Sequence, residues 1–419
     1  MRFFFPDSQD QIDPAFDFSS EEHSPFRVRQ RDDRYAHEVL AEPPFDGILV
    51  SKAIVDGTAQ GAGKYSAPQR ARLYREGIRR FLRLDSVPDR RLLTMGDCGA
   101  FAYVAEDTPP YSVDEVIDFY DDAGFDLGVS VDHVILGFID DPESALPGLG
   151  VGPEDWEVRR KITLENAAEF LRRHQARRCS FLPVGAAQGW SPATYADSVA
   201  ELQRMGYQTI ALGGMVPLKS QQIMLSLDAI QGIRQRATEL HLLGVTRLEH
   251  LERFTSYGVT SFDSTSPFRR AFKDERDNYY TPDGDALTAV RVPQVEGNPK
   301  LKMKIRAGQI DQGEAVGLER ECLDALASFE RTAVTLDAVV DPLRRYEALW
   351  DGKKDRSDLY RKTLAARPWE SCRCGICETS GIDVILFRGS ERNKRRGFHN
   401  LYMFGSRLQR MLESATSTT

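Results

Sequence analysis

At 419 residues the chain can bury a large core and should hold one big domain with additions, or two domains. Its 41% hydrophobic and 28% charged content is that of an ordinary globular protein; no apolar run approaches a membrane span, and Met1-Arg2-Phe3-Phe4-Phe5-Pro6 is too short and too soon broken for a signal peptide, so no membrane partner and a cytoplasmic location are expected. A net charge of −8 argues against non-specific coating of nucleic acid, and six cysteines in so long a chain do not read as a disulfide framework.

Residues 1–45, rich in Asp, Phe, Pro and Arg, show no sustained period. They read as an irregular lead packed on the main domain, because Phe3, Phe4, Phe5, Phe16 and Phe18 need burial. From residue 45 short apolar runs alternate with helical patterns. Strands are expected over 45–50, 92–95, 127–131, 179–184, 209–212 and 241–245, with helices over 67–84, 112–123, 157–174, 193–205, 225–240 and 247–256. With the run that ends at Asp263 this makes seven alternations, a spacing that suits an α/β fold of the (β/α)8 TIM-barrel type; a doubly wound sheet gives the same alternation. Asp283-Gly284 reads as a hairpin turn, and 287–292 as the eighth strand. The barrel core would then cover 46–293, a mostly helical insertion 294–370, and a zinc-binding subdomain with a closing helix 371–419.

The stretch from Tyr257 to Arg270 carries a β-branched and aromatic run to Asp263, where Ser, Thr and Pro stop it. A carboxylate there would stand at the C-terminal mouth of a barrel strand, where such folds keep their chemistry; a capping Asp is the simpler alternative. Arg269 and Arg270 follow within one loop and offer a phosphate contact. Two further basic clusters, Lys300/Lys302/Lys304/Arg306 and Arg388/Arg392/Lys394/Arg395/Arg396, read singly as solvated faces.

Near the C-terminus Cys372, Cys374 and Cys377 crowd together, with His399 downstream. Three thiolates and an imidazole close the tetrahedral shell that structural Zn2+ prefers, one ion per chain, with no open position for catalysis. The other reading is three clustered free thiols.

The Asp263 stretch and the cysteine cluster together resemble the guanine transglycosylase family, whose best-known members exchange guanine for a 7-deazaguanine in tRNA. The likeness runs from about residue 46 to the end in the family's order. Asp97-Cys98-Gly99-Ala100-Phe101 stands where the family has Asp-Ser-Gly-Gly-aromatic; Asp132 falls at its base-reading Asp, Gln188-Gly189 at its Gln-Gly, Gly213-Gly214-Met215 at its Gly-Gly-Leu, Phe262-Asp263 at its nucleophile motif, and His399-Asn400 at its zinc-ligand pair. Cys98-Gly99-Ala100 departs from Ser-Gly-Gly, and 294–370 has no clear counterpart. The lead Phe3-Phe4-Phe5-Pro6-Asp7-Ser8-Gln9-Asp10 looks like the start of the bacterial branch that places a 7-deazaguanine in DNA, which favours DNA over tRNA.

The resemblance implies Asp263 as nucleophile, Asp97 as general acid and base, and a base pocket of Asp132, Gln188, Gly189, Gly213 and Gly214, with Phe101 and Met215 or Leu243 sandwiching the ring. Retaining chemistry of this type puts its two carboxyls roughly 5–6 Å apart. The incoming base would be a 7-deazaguanine such as 7-cyano-7-deazaguanine, and family association adds a partner protein with an ATPase or DNA-binding role. His133 reads as hydrogen-bonded to a neighbouring strand or loop, His241 as a packing residue at a strand start, and Cys179 and Cys322 as buried apolar residues. Competing readings are a tRNA-directed enzyme, a non-catalytic subunit that uses the barrel for binding, and an unrelated zinc-stabilised hydrolase; the second predicts a broken carboxylate pair, whereas Asp97 and Asp263 are both present.

Overall fold

Eight parallel strands close on themselves in the computed structural model, which describes residues 1–58, 61–87, 92–139, 152–273 and 275–417. In chain order they are β1 (Arg2–Pro6), β2 (Gly47–Ser51), β3 (Leu93–Asp97), β4 (Leu127–Val129), β5 (Leu182–Ala187), β6 (Thr209–Leu212), β7 (Glu239–Leu242) and β8 (Val259–Asp263). Each pairs with its sequence neighbours, and β1 closes the ring by pairing with both β2 and β8, through Phe4↔Gly47 and Phe4↔Asp263. Helices α1 (Ala67–Glu76), α2 (Val113–Ala123), α3 (Pro153–Arg177), α4 (Pro192–Met205), α5 (Ser220–Gln231) and α6 (Leu251–Ser256) alternate with the strands, so the fold is the TIM barrel. Ser112 caps α2 as its sequence foretells: the Ser112 hydroxyl accepts from the Glu115 N–H at 3.3 Å, and the Glu115 carboxylate accepts from the Ser112 N–H at 2.8 Å.

Alternate residues of the strands fill the barrel. Phe4, Leu49, Met95, Leu127, Val129, Val184, Ala186 and Ala211 form one buried cluster of large and small side chains. Phe3 and Phe5 project the other way, stacking on Phe262 and Phe45 at centroid distances of 5.3 and 5.7 Å.

Two expectations change here. The eighth strand is not 287–292 but Arg2–Pro6, so the first residues are barrel wall rather than an irregular lead. Strands buried on both faces lose the alternation that marks a half-exposed strand, and three consecutive phenylalanines therefore hide their period. Within 287–292 only short ladders form: Ala286–Leu287 pairs antiparallel with Tyr279–Tyr280 around the Asp283-Gly284 turn, and Val290–Arg291 pairs parallel with Leu386–Phe387. Downstream of α5 the helical reading ran too far: the helix stops at Gln231, and the strand begins at Glu239.

The chain divides into two compact units. The barrel unit holds residues 1–9, 45–265 and 414–419; the second holds 10–44 and 266–413. The second unit contains α7 (Ser266–Lys273), α8 (Pro299–Arg306), α9 (Gln312–Glu330), α10 (Leu336–Trp350), α11 (Ser357–Ala366) and most of the 29-residue α12 (Gly389–Ser417). The basic run that leads into α12 is not a solvated face. Arg388, Arg392, Arg395 and Arg396 are buried. Arg388 donates to Glu21 and Glu319 at 2.6 Å each, Arg392 to Asp383 at 2.6 Å and also to Glu21, and Arg395 to Glu391 at 2.6 Å; Arg396 donates to the carbonyls of Ala271 and Leu386 at 2.6 and 2.8 Å. A helix can carry arginines inward only where each finds acceptors: Glu21 and Glu319 come from far along the chain, Glu391 stands one turn back from Arg395, and backbone carbonyls meet Arg396. Among the described residues no helix is long and apolar enough to cross a membrane.

Candidate active site

The strands deliver their last residues to one rim. Asp97 ends β3 and Asp263 ends β8; Asp132 follows β4 by three residues, Gln188 and Gly189 follow β5, Gly213, Gly214 and Met215 follow β6, and Leu243 follows β7. This is the C-terminal face, where loops from several strands can converge on one ligand. Because β1 is a barrel strand, Asp97 and Asp263 sit on the third and eighth strands rather than the second and seventh.

Asp263 is 7% exposed and firmly held. One carboxylate oxygen accepts the Gly244 N–H at 3.0 Å and faces His241 Nε2 at 3.2 Å. His241 is wholly buried, and its Nδ1 lies 2.8 Å from the Ser261 hydroxyl, across a pair in the β7–β8 register. A carboxylate can only accept, so Nε2 carries the proton, Nδ1 accepts, and Ser261 donates to it. This Ser261–His241–Asp263 chain fixes the orientation of the carboxylate while leaving its second oxygen outside the chain.

Asp97 has the opposite surroundings. Its Oδ2 accepts from the Ser51 hydroxyl and the Gly99 N–H, each at 3.0 Å. Both bonds favour the charged form, yet burial and then the charge of Asp132, with a smaller push from Asp263, raise it from 3.8 to about 7. At neutral pH it is therefore poised to give or take a proton.

Asp132, 3% exposed, is gripped from both sides: Oδ1 accepts from the Cys98 thiol at 2.9 Å and Oδ2 from Gln188 Nε2 at 2.6 Å. The Gln188 carbonyl oxygen accepts the Ile135 N–H at 3.2 Å. Tyr103 donates to the Asp132 carbonyl at 3.0 Å, and its hydroxyl is 2.9 Å from the Cys98 sulfur. Burial raises both Asp132 and the Cys98 thiol, so Cys98 stays a protonated donor rather than a nucleophile. Polar atoms of Asp97, Cys98 and Asp132 lie within 4.8 Å of one another. Gly213 is required beside them: a Cβ there would collide with Gln188 Nε2. Gly214 adopts φ +70°, which favours glycine.

The structure thus brings together Asp97, Asp132 and Gln188, with Asp263 acting on Asp97 through its charge. Met215 is buried and Leu243 half-buried, whereas Phe101, on the 3-10 turn Ala100–Tyr103, is 52% exposed. Arg269 and Arg270 lie on α7 in the second unit, and Arg270 donates to the Asp277 carbonyl at 2.6 Å. His133 faces away to the Glu106 carbonyl at 2.9 Å. Sequence reasoning missed Ser51, Tyr103, Ser261 and the role of His241. A polar residue ending a barrel strand was signal enough for Ser51; His241 sits among apolar neighbours and gave none.

In the second unit Cys372, Cys374, Cys377 and His399 form a buried cluster that can hold a metal ion. His399 Nδ1 lies 3.5, 3.6 and 3.3 Å from the three sulfurs in that order. Its other nitrogen meets the Tyr280 carbonyl at 2.8 Å, and the Tyr279 ring stacks on it at 4.0 Å.

No family model matches the chain. A protein of Salmonella montevideo named DNA-guanine transglycosylase is 47% identical to it over 412 residues, which cover 98% of this chain and 97% of that protein.

Proposed function

This chain belongs to the guanine transglycosylase family and is a glycosyltransferase-type enzyme, and from that premise we propose that it exchanges guanine in DNA for a 7-deazaguanine by double displacement at C1′. The observation that carries the reading is the contrast between the two carboxyls: Asp263 is fixed by an amide and an imidazole, and Asp97 is raised to about 7. That contrast is how one site runs nucleophilic and acid–base chemistry together.

In the first step the free Asp263 oxygen attacks C1′, the bond from C1′ to the guanine nitrogen breaks, and Asp97 gives its proton to the departing base. The products are a neutral guanine, an Asp263–sugar ester and an ionised Asp97. In the second step Asp97 takes the ring N–H proton of the incoming base, whose nitrogen attacks C1′ and expels Asp263. Two inversions restore the β-nucleoside. Asp132, with lone pairs beyond those used by Cys98 and Gln188, would accept from the N1–H and 2-amino group of guanine. The amides of Gly189 and Gly214 would donate to O6, and Phe101 with Met215 or Leu243 would cover the ring faces. Such a pocket requires the nucleotide to leave its stack. The name of the Salmonella relative supports DNA as the acceptor; the identity of the base, of which 7-cyano-7-deazaguanine is our choice, rests on the family likeness.

The metal would be zinc. With Zn–S of about 2.3 Å and Zn–N of about 2.05 Å, a tetrahedron has S···N edges of about 3.5 Å, close to the 3.3–3.6 Å between His399 Nδ1 and the three sulfurs. The Tyr280 carbonyl then orients the imidazole from outside the shell. Four protein ligands leave no open position, so the ion would hold the second unit together and take no part in base exchange.

Incubation with labelled guanine and either plasmid DNA or bulk tRNA tests the assignment. Label retained in DNA supports it; label retained in tRNA alone gives the tRNA-directed alternative, and label in neither returns the non-catalytic one.

A further inference from the structure

The second unit holds a cavity of about 370 Å³, lined by Arg27, Arg29, Arg388, Arg392 and Lys394 together with Glu21 and Glu391. Three of these cations are already matched: Arg27 forks onto Asp33 at 2.7 and 2.9 Å, Arg388 meets Glu21 and Glu319, and Arg392 meets Asp383 and Glu21. Arg29 and Lys394 have no carboxylate partner among the described residues, and Lys394 Nζ donates to the Gln11 carbonyl at 2.8 Å. Helix α12 also starts at this cavity, with Gly389, Ser390 and Glu391 in its wall; the Glu391 carboxylate is taken up by Arg395, so the positive end of the helix dipole stands beside the two unmatched cations.

The loop over 24–31 rises beside it. Phe26, between Pro25 and Arg27, is 88% exposed, more than any other large hydrophobic among the described residues. A single exposed aromatic is ordinary. This one stands on a loop whose backbone is hydrogen-bonded throughout: the Arg27 N–H donates to Ser24 O at 3.0 Å, Val28 N–H to Asp32 Oδ2 at 2.7 Å, and Gln30 N–H to Asp33 Oδ2 at 2.7 Å. An exposed aromatic next to an under-neutralised cationic cavity is the pairing that single nucleic-acid strands meet, ring against base and cation against phosphate.

We propose that the 24–31 loop and this cavity form a docking site for the DNA strand, with Phe26 stacking on a base and Arg29 and Lys394 holding a backbone phosphate. The proposal rests on the DNA reading above and adds a contact that no catalytic residue provides.

Fluorescence anisotropy with a labelled guanine-containing oligodeoxynucleotide, single-stranded and duplex, and with an oligoribonucleotide of the same sequence, tests it across a salt series. Phe26→Ala should weaken DNA binding about tenfold, and Phe26→Trp should restore it. The Arg29→Ala, Lys394→Ala double variant should lower the slope of log affinity against log salt by about 2. Equal melting temperatures for all variants would separate lost docking from lost folding. If wild type labels DNA but every variant binds like wild type, the docking site is wrong and the functional reading stands. If wild type labels only tRNA and prefers the oligoribonucleotide, the functional reading fails and the DNA docking site with it.

Discussion

At Asp97 two hydrogen bonds pull toward the ionised form, and burial beside Asp132 outweighs them, leaving the carboxyl near 7 rather than 3.8. Linkage gives the sign of its effect on stability. The folded chain holds a proton here that the unfolded chain has released, so stability falls as pH rises from about 4 to about 7 and stays reduced above that. Asp97→Asn removes the penalty. It should melt about 2–4 °C above wild type at pH 8, with the difference closing toward pH 4, and it should slow base departure by roughly 10²–10⁴-fold because an amide has no proton to give. Scanning calorimetry at the two pH values checks the first part, and identical melting at both would show that Asp97 is not the raised carboxyl. The strand-end position of Asp263 is legible in the sequence, since a β-branched run stops there. Its partner His241 is not: a histidine flanked by leucines carries no mark of facing a carboxylate on the next strand, a relation created by register alone.

Among the elements, the alternation of strands and helices from 45 onward is visible in the sequence because its helices are amphipathic and its turns carry caps such as Ser112. The first strand is invisible for the opposite reason, being buried on both faces. The cysteine cluster is the most legible element of all, since ligand spacing within six residues is local, and only the distance to His399 needs the fold. Purified protein should carry about one zinc per chain by elemental analysis, and Cys374→Ser should lose the metal together with cooperative melting of the second unit. A fully folded, metal-free wild-type protein would refute the zinc assignment.

Taken whole, the chain has a barrel whose rim holds three acidic residues and a second unit whose buried arginines are met by carboxylates and, at Arg396, by backbone carbonyls, and its net charge of −8 hides both. Overall charge therefore says little about nucleic-acid binding here, whereas local arrangement says more. The central claim is that guanine leaves DNA while Asp263 takes the sugar. The most direct measurement mixes enzyme with a guanine-containing oligodeoxynucleotide, quenches in denaturant before the second base is added, and maps any cross-linked peptide by mass spectrometry. The account predicts a covalent DNA–peptide adduct on Asp263, absent from Asp263→Asn and resolved by adding a 7-deazaguanine. An adduct that persists in Asp263→Asn, or base exchange at full rate by that variant, would contradict it.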